Sequence, residues 1–184
     1  MLKKTILGTA LILGISTVGS IQLAKQSFEN VEASESQQQI QKSSLQERLE
    51  LLELSVIPTT PEEAVQTFGK AVKLRNGALQ FAILSDQEKA KGKKKFEESH
   101  WVTGVSSPWV KTYEILCEKE LKAGTKMEYV VAFDLYTSTG KAGTDQVRLI
   151  VEKMNDQWLI TKVEAASKDS IGIWKLYEDI SIIL

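Results

Sequence analysis

The spacing of apolar side chains changes near Pro108 from a helical period to an alternating one. Before Pro108, apolar residues recur every three or four positions, which places them on one face of a helix. After it, apolar and polar residues alternate as in half-buried strands. Four segments show this alternation: residues 109–121, 127–137, 145–154 and 157–164. The pattern therefore predicts an α+β fold in which helices precede a four-stranded sheet.

Three helices are predicted before the change of period. Thr60 is a suitable N-cap, Pro61 occupies the first helical position, and Glu63 completes a capping box with Thr60. Two further helices are predicted over residues 78–84 and 87–98. Their apolar faces require a partner surface, which the sheet provides.

The turns between the predicted strands are short, so consecutive strands should be antiparallel neighbours. Alternation then places one set of side chains on a common face under the helices. That set is Tyr113, Ile115, Cys117, Met127, Tyr129, Val131, Phe133, Leu135, Val147, Leu149 and Val151, with Leu159 and Val163 beyond. Cys117 is accordingly predicted to be a small buried side chain rather than a reactive thiol.

The N-terminus has the layout of a secretory signal. Two lysines near the start precede an apolar run over residues 6–23. Small residues permit cleavage after Ser20 or Ala33, and the second position is favoured. Residues 1–33 are thus predicted to be a signal peptide, with an uncleaved membrane anchor as the alternative. Both interpretations place the rest of the protein outside the cytoplasm, either secreted or on the extracellular face of the cell membrane.

Residues 34–57 are predicted to be a polar linker, up to Ser44, followed by a short amphipathic helix. Four apolar residues of that helix recur at spacings of four, three and four: Leu45, Leu49, Leu52 and Val56. The stripe is shorter than the three or four heptads of a coiled coil, which favours a helix lying on the domain over a docking helix. In either case the leucines should be packed or paired.

Residues 167–184 form an apolar C-terminal tail. Ile173, Leu176, Tyr177 and Ile180 have helical spacing. Exposure of so many large apolar side chains to water is unfavourable. The tail is therefore predicted to pack on the domain as a short helix or an added edge strand, with a partner or membrane contact as the alternative.

Composition excludes several classes of site. The chain has 42% hydrophobic and 26% charged residues and a formal net charge of -1, which gives no reason to expect nucleic acid as a partner. A single cysteine rules out an internal disulfide, and a single histidine rules out a site that needs two imidazoles. Zinc peptidases of the HExxH type and Cys/His zinc ribbons are thereby excluded. No catalytic residue, metal site or cofactor is predicted.

Three polar features of the sequence are candidate sites. Asp134 lies among tyrosines on a predicted strand, but alternation directs it away from the helix-covered face, which favours a solvent-facing carboxylate over a catalytic base. His100 follows a helix and is expected to be a hydrogen-bonded loop residue. The lysines of residues 89–95 match anionic wall polymer or lipid head groups, although a solvated helix face balanced by glutamates is favoured.

Residues 58–166 resemble a nuclear transport factor 2-like (cystatin-like) extracytoplasmic domain of Firmicutes. The resemblance is carried by four stretches: TPEEAV (60–65), RNGALQFAILS (75–85), FEESHWVTGVSSPWV (96–110) and TSTGKAGT (137–144). Similar domains occur alone behind a signal peptide or appended to BlaR/MecR-type membrane sensor proteins. The metal-binding helix of those peptidases has no counterpart here, so peptidase activity does not carry over.

The resemblance implies a cone-shaped fold, with N-terminal helices on a curved four-stranded antiparallel sheet that encloses a pocket. Trp101 and Trp109 flank a loop and, with Tyr113 and Tyr129, are the candidate ligand-binding residues, although the tryptophans are also suited to plug the cone. We expect a non-catalytic ligand- or partner-binding module of a Gram-positive bacterium. Its partner would be an unknown small molecule or a cell-envelope protein, with homodimer formation left open. A small pocket enzyme of the isomerase or dehydratase type, or an assembly domain, is the alternative.

Overall fold

The computed structural model describes residue 39 and residues 41–104 and 107–174. Within these, helix α1 covers residues 41–55. The elements that follow are α2 (Pro61–Lys73), α3 (Gly77–Ala82), α4 (Asp86–Glu98), β1 (Trp109–Lys122), β2 (Lys126–Thr137), β3 (Gly140–Met154) and β4 (Gln157–Ala165). The chain divides into two units, Met1–Leu49 and Glu50–Leu184, and α1 runs across that division. The expected signal segment lies outside the described residues.

Each helix after α1 begins at a polar side chain that accepts a bond from the first turn. Thr60 accepts from the backbone N–H of Glu63, and the Glu63 carboxylate accepts from the N–H of Thr59 at 2.8 Å. Asn76 caps α3 and Ser85 caps α4 in the same way. These caps satisfy N–H groups that a helix leaves without an internal partner. The helix starts are therefore set by local sequence.

The four strands form one antiparallel sheet in the order β1-β2-β3-β4, which confirms the predicted α+β class and strand arrangement. The backbone after α3 adds a short parallel bridge to β4. There Ser85 donates its N–H to the carbonyl of Ile160 at 2.9 Å, and Ile160 donates to the carbonyl of Ile83 at 3.0 Å. This bridge places the start of α4 beside β4.

The core lies between the helices and one face of the sheet. From α2 it takes apolar side chains such as that of Phe68, which is 2% exposed. Its other members are Ala64, Val65, Val72, Ile83, Leu84, Phe96, Val110, Tyr129, Val131, Phe133, Leu135, Val147, Leu149, Val151, Trp158, Ile160 and Trp174. Full burial of a large apolar side chain stabilises the fold by about 1.5–3 kcal/mol, so this cluster is the main source of stability.

Two predicted core positions are wrong because the strands contain β-bulges. The register of β1 shifts at Leu116, so Cys117 pairs with Val130 on the outer face of the sheet and is exposed. In β4 the register shifts at Thr161, and Leu159 pairs with Glu152 instead of facing the core. One extra residue in a strand exchanges the faces of all residues after it, and simple alternation does not reveal where that residue is.

Helix α1 forms as predicted, but it begins by residue 41, inside the segment that was expected to be a linker. Its leucines are exposed, and the expectation that they are packed or paired stays a prediction. Among the residues that the structure describes, no helix has the length and apolar character needed to cross a membrane.

The start of the C-terminal tail contacts β3. The buried Asp145 carboxylate accepts a bond from the N–H of Ile173 at 2.9 Å, and the neighbouring Trp174 is 4% exposed. Trp174 belongs to the core cluster and Ile173 packs against it. Residues 175–184 lie outside the described residues, and with them lies the predicted terminal helix or edge strand.

Candidate functional site

Trp101 has its ring surrounded by aromatic side chains of the chain itself. It stacks on Phe96 with ring centroids 5.7 Å apart and meets Phe81 edge-on at 5.2 Å. Its carbonyl accepts a bond from the N–H of Gly77 at 2.8 Å. These contacts hold the turn after α4 against α3, so most of the Trp101 surface serves packing.

The other three predicted binding residues lie in different surroundings. Trp109 opens β1 and is 41% exposed. Tyr113 is half-buried against Phe133, and its hydroxyl donates to the carbonyl of Gln66 at 3.2 Å. Tyr129 is only 2% exposed. The described contacts therefore do not gather the four aromatic residues into one cleft, and their binding role stays a prediction.

Asp134 lies on the outer face of the sheet, as the alternation predicted. Its carboxylate accepts bonds from Thr112 at 3.2 Å and Thr144 at 3.1 Å and pairs with Lys141 at 2.7 Å. The bond from Lys141, followed by that from Thr144, holds the pKa of Asp134 below its ordinary value. A carboxylate stabilised in its anionic form is poorly suited to accept and return protons near neutral pH.

A polar cleft of about 480 Å³ lies beside the start of α4. The buried Glu88 pairs there with Lys91. Glu152 binds Lys126 at 2.9 Å, and this bond, more than the one from Thr161 at 2.8 Å, lowers the Glu152 pKa. Glu88 and Glu152 are thus each bound to a lysine that also lines this cleft. Sequence reasoning missed this cleft because its residues come from α4, β2, β3 and β4.

The lysines of residues 89–95 lie mainly on a solvated surface of α4, as favoured from the sequence. Lys94 pairs with Glu98 at 3.8 Å, and Lys89 lies 5.7 Å from the centre of the Phe81 ring. His100 is exposed and has a positive φ of 51°. Among the described residues, no group of three or more His, Cys, Asp or Glu side chains is arranged to hold a metal ion.

Among the residues that the structure describes, exposed leucines are concentrated on α1. Five leucines, which we call the α1 leucines, are exposed by 53% to 68%: Leu45, Leu49, Leu51, Leu52 and Leu54. A single exposed leucine is common in soluble proteins, whereas a concentrated apolar surface indicates a binding site. The sequence indicated the stripe of leucines, and the structure adds the exposure of each side chain.

The outer edge of the sheet has a different character. Strand β1 has no neighbour on that side within the described sheet, but it has three register irregularities along its length. Its exposed charged residues are Lys111, Glu114, Glu118, Lys119, Glu120 and Lys122. Bulges and charged side chains are features that protect an edge strand from pairing with another chain. The edge is therefore a weaker docking candidate than α1.

No family model and no curated protein matches the chain. Among solved structures, it is similar to a SEC-C motif containing protein from Rhodopseudomonas palustris, with 12% identity over 59% of this chain and 80% of the other and a TM-score of 0.44. It is also similar to the intermembrane space region of the chloroplast protein ARC6, with 15% identity over 56% of this chain and 92% of the other and a TM-score of 0.41. Both similarities are confined to coarse backbone shape.

Proposed function

We propose that this protein is a non-catalytic partner-binding module that acts outside the cytoplasmic membrane of a Gram-positive bacterium. Its body is a domain of the nuclear transport factor 2-like type, and α1 is the element that binds the partner. The observation that carries this proposal is the exposure of the α1 leucines. Their contact with water is unfavourable by about 1.5–3 kcal/mol for each side chain that could instead be fully buried. A partner surface removes that cost.

The charged groups of the domain support a binding role over a catalytic one. Asp134 and Glu152 are both held in the anionic form by lysine partners. A general acid or base for isomerase or dehydratase chemistry requires a pKa near the working pH. The two described polar sites therefore lack the feature that would favour the enzyme alternative.

The extracytoplasmic location is supported by the layout of residues 1–33 and is tested through Cys117. This residue is the only cysteine of the chain and is exposed. The full chain is expressed in a Gram-positive host, and intact cells and medium are treated with a membrane-impermeant maleimide. We expect labelling of Cys117 before lysis. Labelling only after lysis would contradict an extracytoplasmic location.

The binding role of α1 is tested by site-specific photocrosslinking in the same host. A benzophenone amino acid replaces Leu49 or Leu52, and the control replaces Lys93, an exposed residue of α4. We expect discrete crosslinked products from the two α1 positions and none from position 93. Absence of products from α1, or equal products from all three positions, would contradict the proposal.

A further inference from the structure

We propose that the partner of α1 is a second copy of this chain, and that the two α1 helices associate side by side, parallel and in register. This inference rests on the proposed function, in which α1 is the binding element. The order of apolar and charged residues along α1 is what selects a second copy of the chain as the binding partner of the α1 leucines.

The apolar residues fit the repeat of a two-stranded helical pair. Spacings of four and three place Leu45 and Leu52 at d positions and Leu49 at an a position of a heptad, and Val56, at the next a position, directly follows the end of α1. Leu45, Leu49 and Leu52 are all more than half exposed and available to form this seam. Leu51 and Leu54 fall at c and f positions, outside the seam.

The charged residues select the parallel orientation. Arg48 is at a g position and Glu53 is at the e position five residues later. In a parallel in-register pair, a g residue faces the following e residue of the other helix, so Arg48 faces Glu53 of the second copy. The two-fold symmetry of the pair makes this contact twice. Gln41 and Gln46 stand in the same relationship one heptad earlier.

An antiparallel pair of the same helices lacks this match. It brings e positions against e positions and g positions against g positions, so Arg48 no longer meets Glu53.

A membrane surface is also a poorer binding partner for the α1 leucines than a second copy of the chain. Helix α1 has a net charge of −1, because it carries two basic and three acidic residues: Lys42, Arg48, Glu47, Glu50 and Glu53. Helices that bind anionic lipid surfaces are rich in Lys and Arg on their polar face.

The pair is short, so the association should be weak and depend on concentration. An isolated helix below about 12–15 residues is marginal in water, and pairing must stabilise it. Retention of both chains on the extracellular face of the cell membrane would raise their effective concentration and favour the helical pair.

Sedimentation equilibrium of the exported protein, purified without truncation, tests the inference over a range of concentrations. We expect a dimer whose fraction rises with concentration. The double variant Leu49→Lys/Leu52→Lys should be monomeric over the same range. Its matched control, Leu51→Lys/Leu54→Lys, adds the same charge to somewhat more exposed positions outside the seam and should retain the dimer. Loss of the dimer in both variants would overturn the inference.

Charge exchange tests the register. Arg48→Glu should reduce the dimer fraction, because it places a second carboxylate against Glu53 of the other copy. Adding Glu53→Arg to it should restore the dimer. Orientation is tested with Leu49→Cys in a Cys117→Ser background, where oxidation should link the chains, since a positions face each other only in a parallel pair. Failure of the restoration or of the link would overturn the parallel arrangement.

Failure of this inference is distinguishable from failure of the proposed function. Crosslinks from Leu49 at a mass other than twice that of the chain, with a monomer in sedimentation, would overturn the homodimer and leave α1 as a binding element. Leucine-dependent flotation with phosphatidylglycerol vesicles would likewise overturn it. Absence of any crosslink from α1 would overturn both.

Discussion

Tyr113 lies directly across Gly69, so closely that residue 69 has no room for a side chain. A Cβ at residue 69 would lie 2.5 Å from Cδ2 and from Cε2 of the Tyr113 ring. The Tyr113 hydroxyl also donates to the carbonyl of Gln66, one turn earlier in α2. Strand β1 is thus fixed against α2 by one aromatic side chain, and burial raises the pKa of its hydroxyl.

Replacement of Gly69 by alanine should destabilise the protein, although alanine is the better helix former. The methyl group collides with a rigid ring, and overpacking of this kind costs about 1–3 kcal/mol. Urea unfolding measures the difference in the free energy of unfolding. Lys70→Ala, an exposed change in the same helix, is the control and should have a small effect. Equal stability of Gly69→Ala and the wild type would show that Tyr113 moves aside easily.

Replacement of Asp145 by alanine should release the start of the C-terminal tail. It removes the acceptor of the Ile173 N–H and leaves a part-buried donor without its partner, at a cost of about 1–3 kcal/mol. Limited trypsin digestion should cut faster after Lys168, and the melting temperature should fall. Asp156→Asn removes the charge of a carboxylate that is 94% exposed and keeps a side chain that tolerates the positive φ of 64° at this position, so it should change neither measurement appreciably. Unchanged digestion of Asp145→Ala would show that the tail is held without this bond.

Glu152 should make stability depend on pH in a defined direction. Its pKa in the folded protein is lowered, first by Lys126, from the value of 4.5 taken for the unfolded chain. A group with a lowered folded pKa stabilises the protein above its unfolded pKa, and this contribution is lost as pH falls through the folded pKa. The stability difference between wild type and Glu152→Gln should therefore be largest above about pH 4.5 and should shrink below it. Urea unfolding at several pH values measures it.

The control for this pH profile is Glu97→Gln, on the exposed surface of α4. Its stability difference from the wild type should be small throughout the same pH range. A difference for Glu152→Gln that grows as the pH falls would contradict the assigned direction.

Cys117 should react rapidly with a thiol reagent in the folded protein. Its side chain is on the outer face of the sheet and is exposed. The rate of alkylation with iodoacetamide in buffer should lie within about tenfold of the rate in urea. The thiol is already exposed in the folded protein, so the reaction does not require unfolding. Protection by several orders of magnitude would restore the interpretation from sequence, in which Cys117 is buried.

The sequence predicted those features that depend on local chemistry. The cap at Thr60, the change of period near Pro108 and the antiparallel order of the strands all follow from neighbouring residues. The bulges at Leu116 and Thr161 were missed because they depend on how two strands pair. A residue on one strand gives no local sign that its partner strand has one residue fewer.

The candidate site was predicted less well than the fold. Trp101 and Tyr129 were predicted to bind a ligand, whereas the structure packs both against other side chains of the chain. The stripe of leucines was recognised, but periodicity alone does not distinguish an apolar face that is covered from one that is exposed. That distinction depends on tertiary packing, which only the structure provides.

The bulge at Leu116 shifts the alternation of inner and outer side chains along strand β1 by one residue. Tyr113 and Ile115 face the core, and beyond the extra residue Glu118 faces that side while Cys117 faces solvent. Substitution at Leu116 keeps the number of residues in β1 and therefore leaves the two faces of the strand unchanged. Deletion of Leu116 would instead join Ile115 directly to Cys117 and remove the bulge, and regular alternation would then keep Cys117 on the solvent side and Glu118 on the side of Ile115. The placement of Glu118 on the side of Ile115 and of Cys117 on the opposite side is thus set by how β1 pairs with β2 beyond the bulge rather than by the chemistry of either side chain.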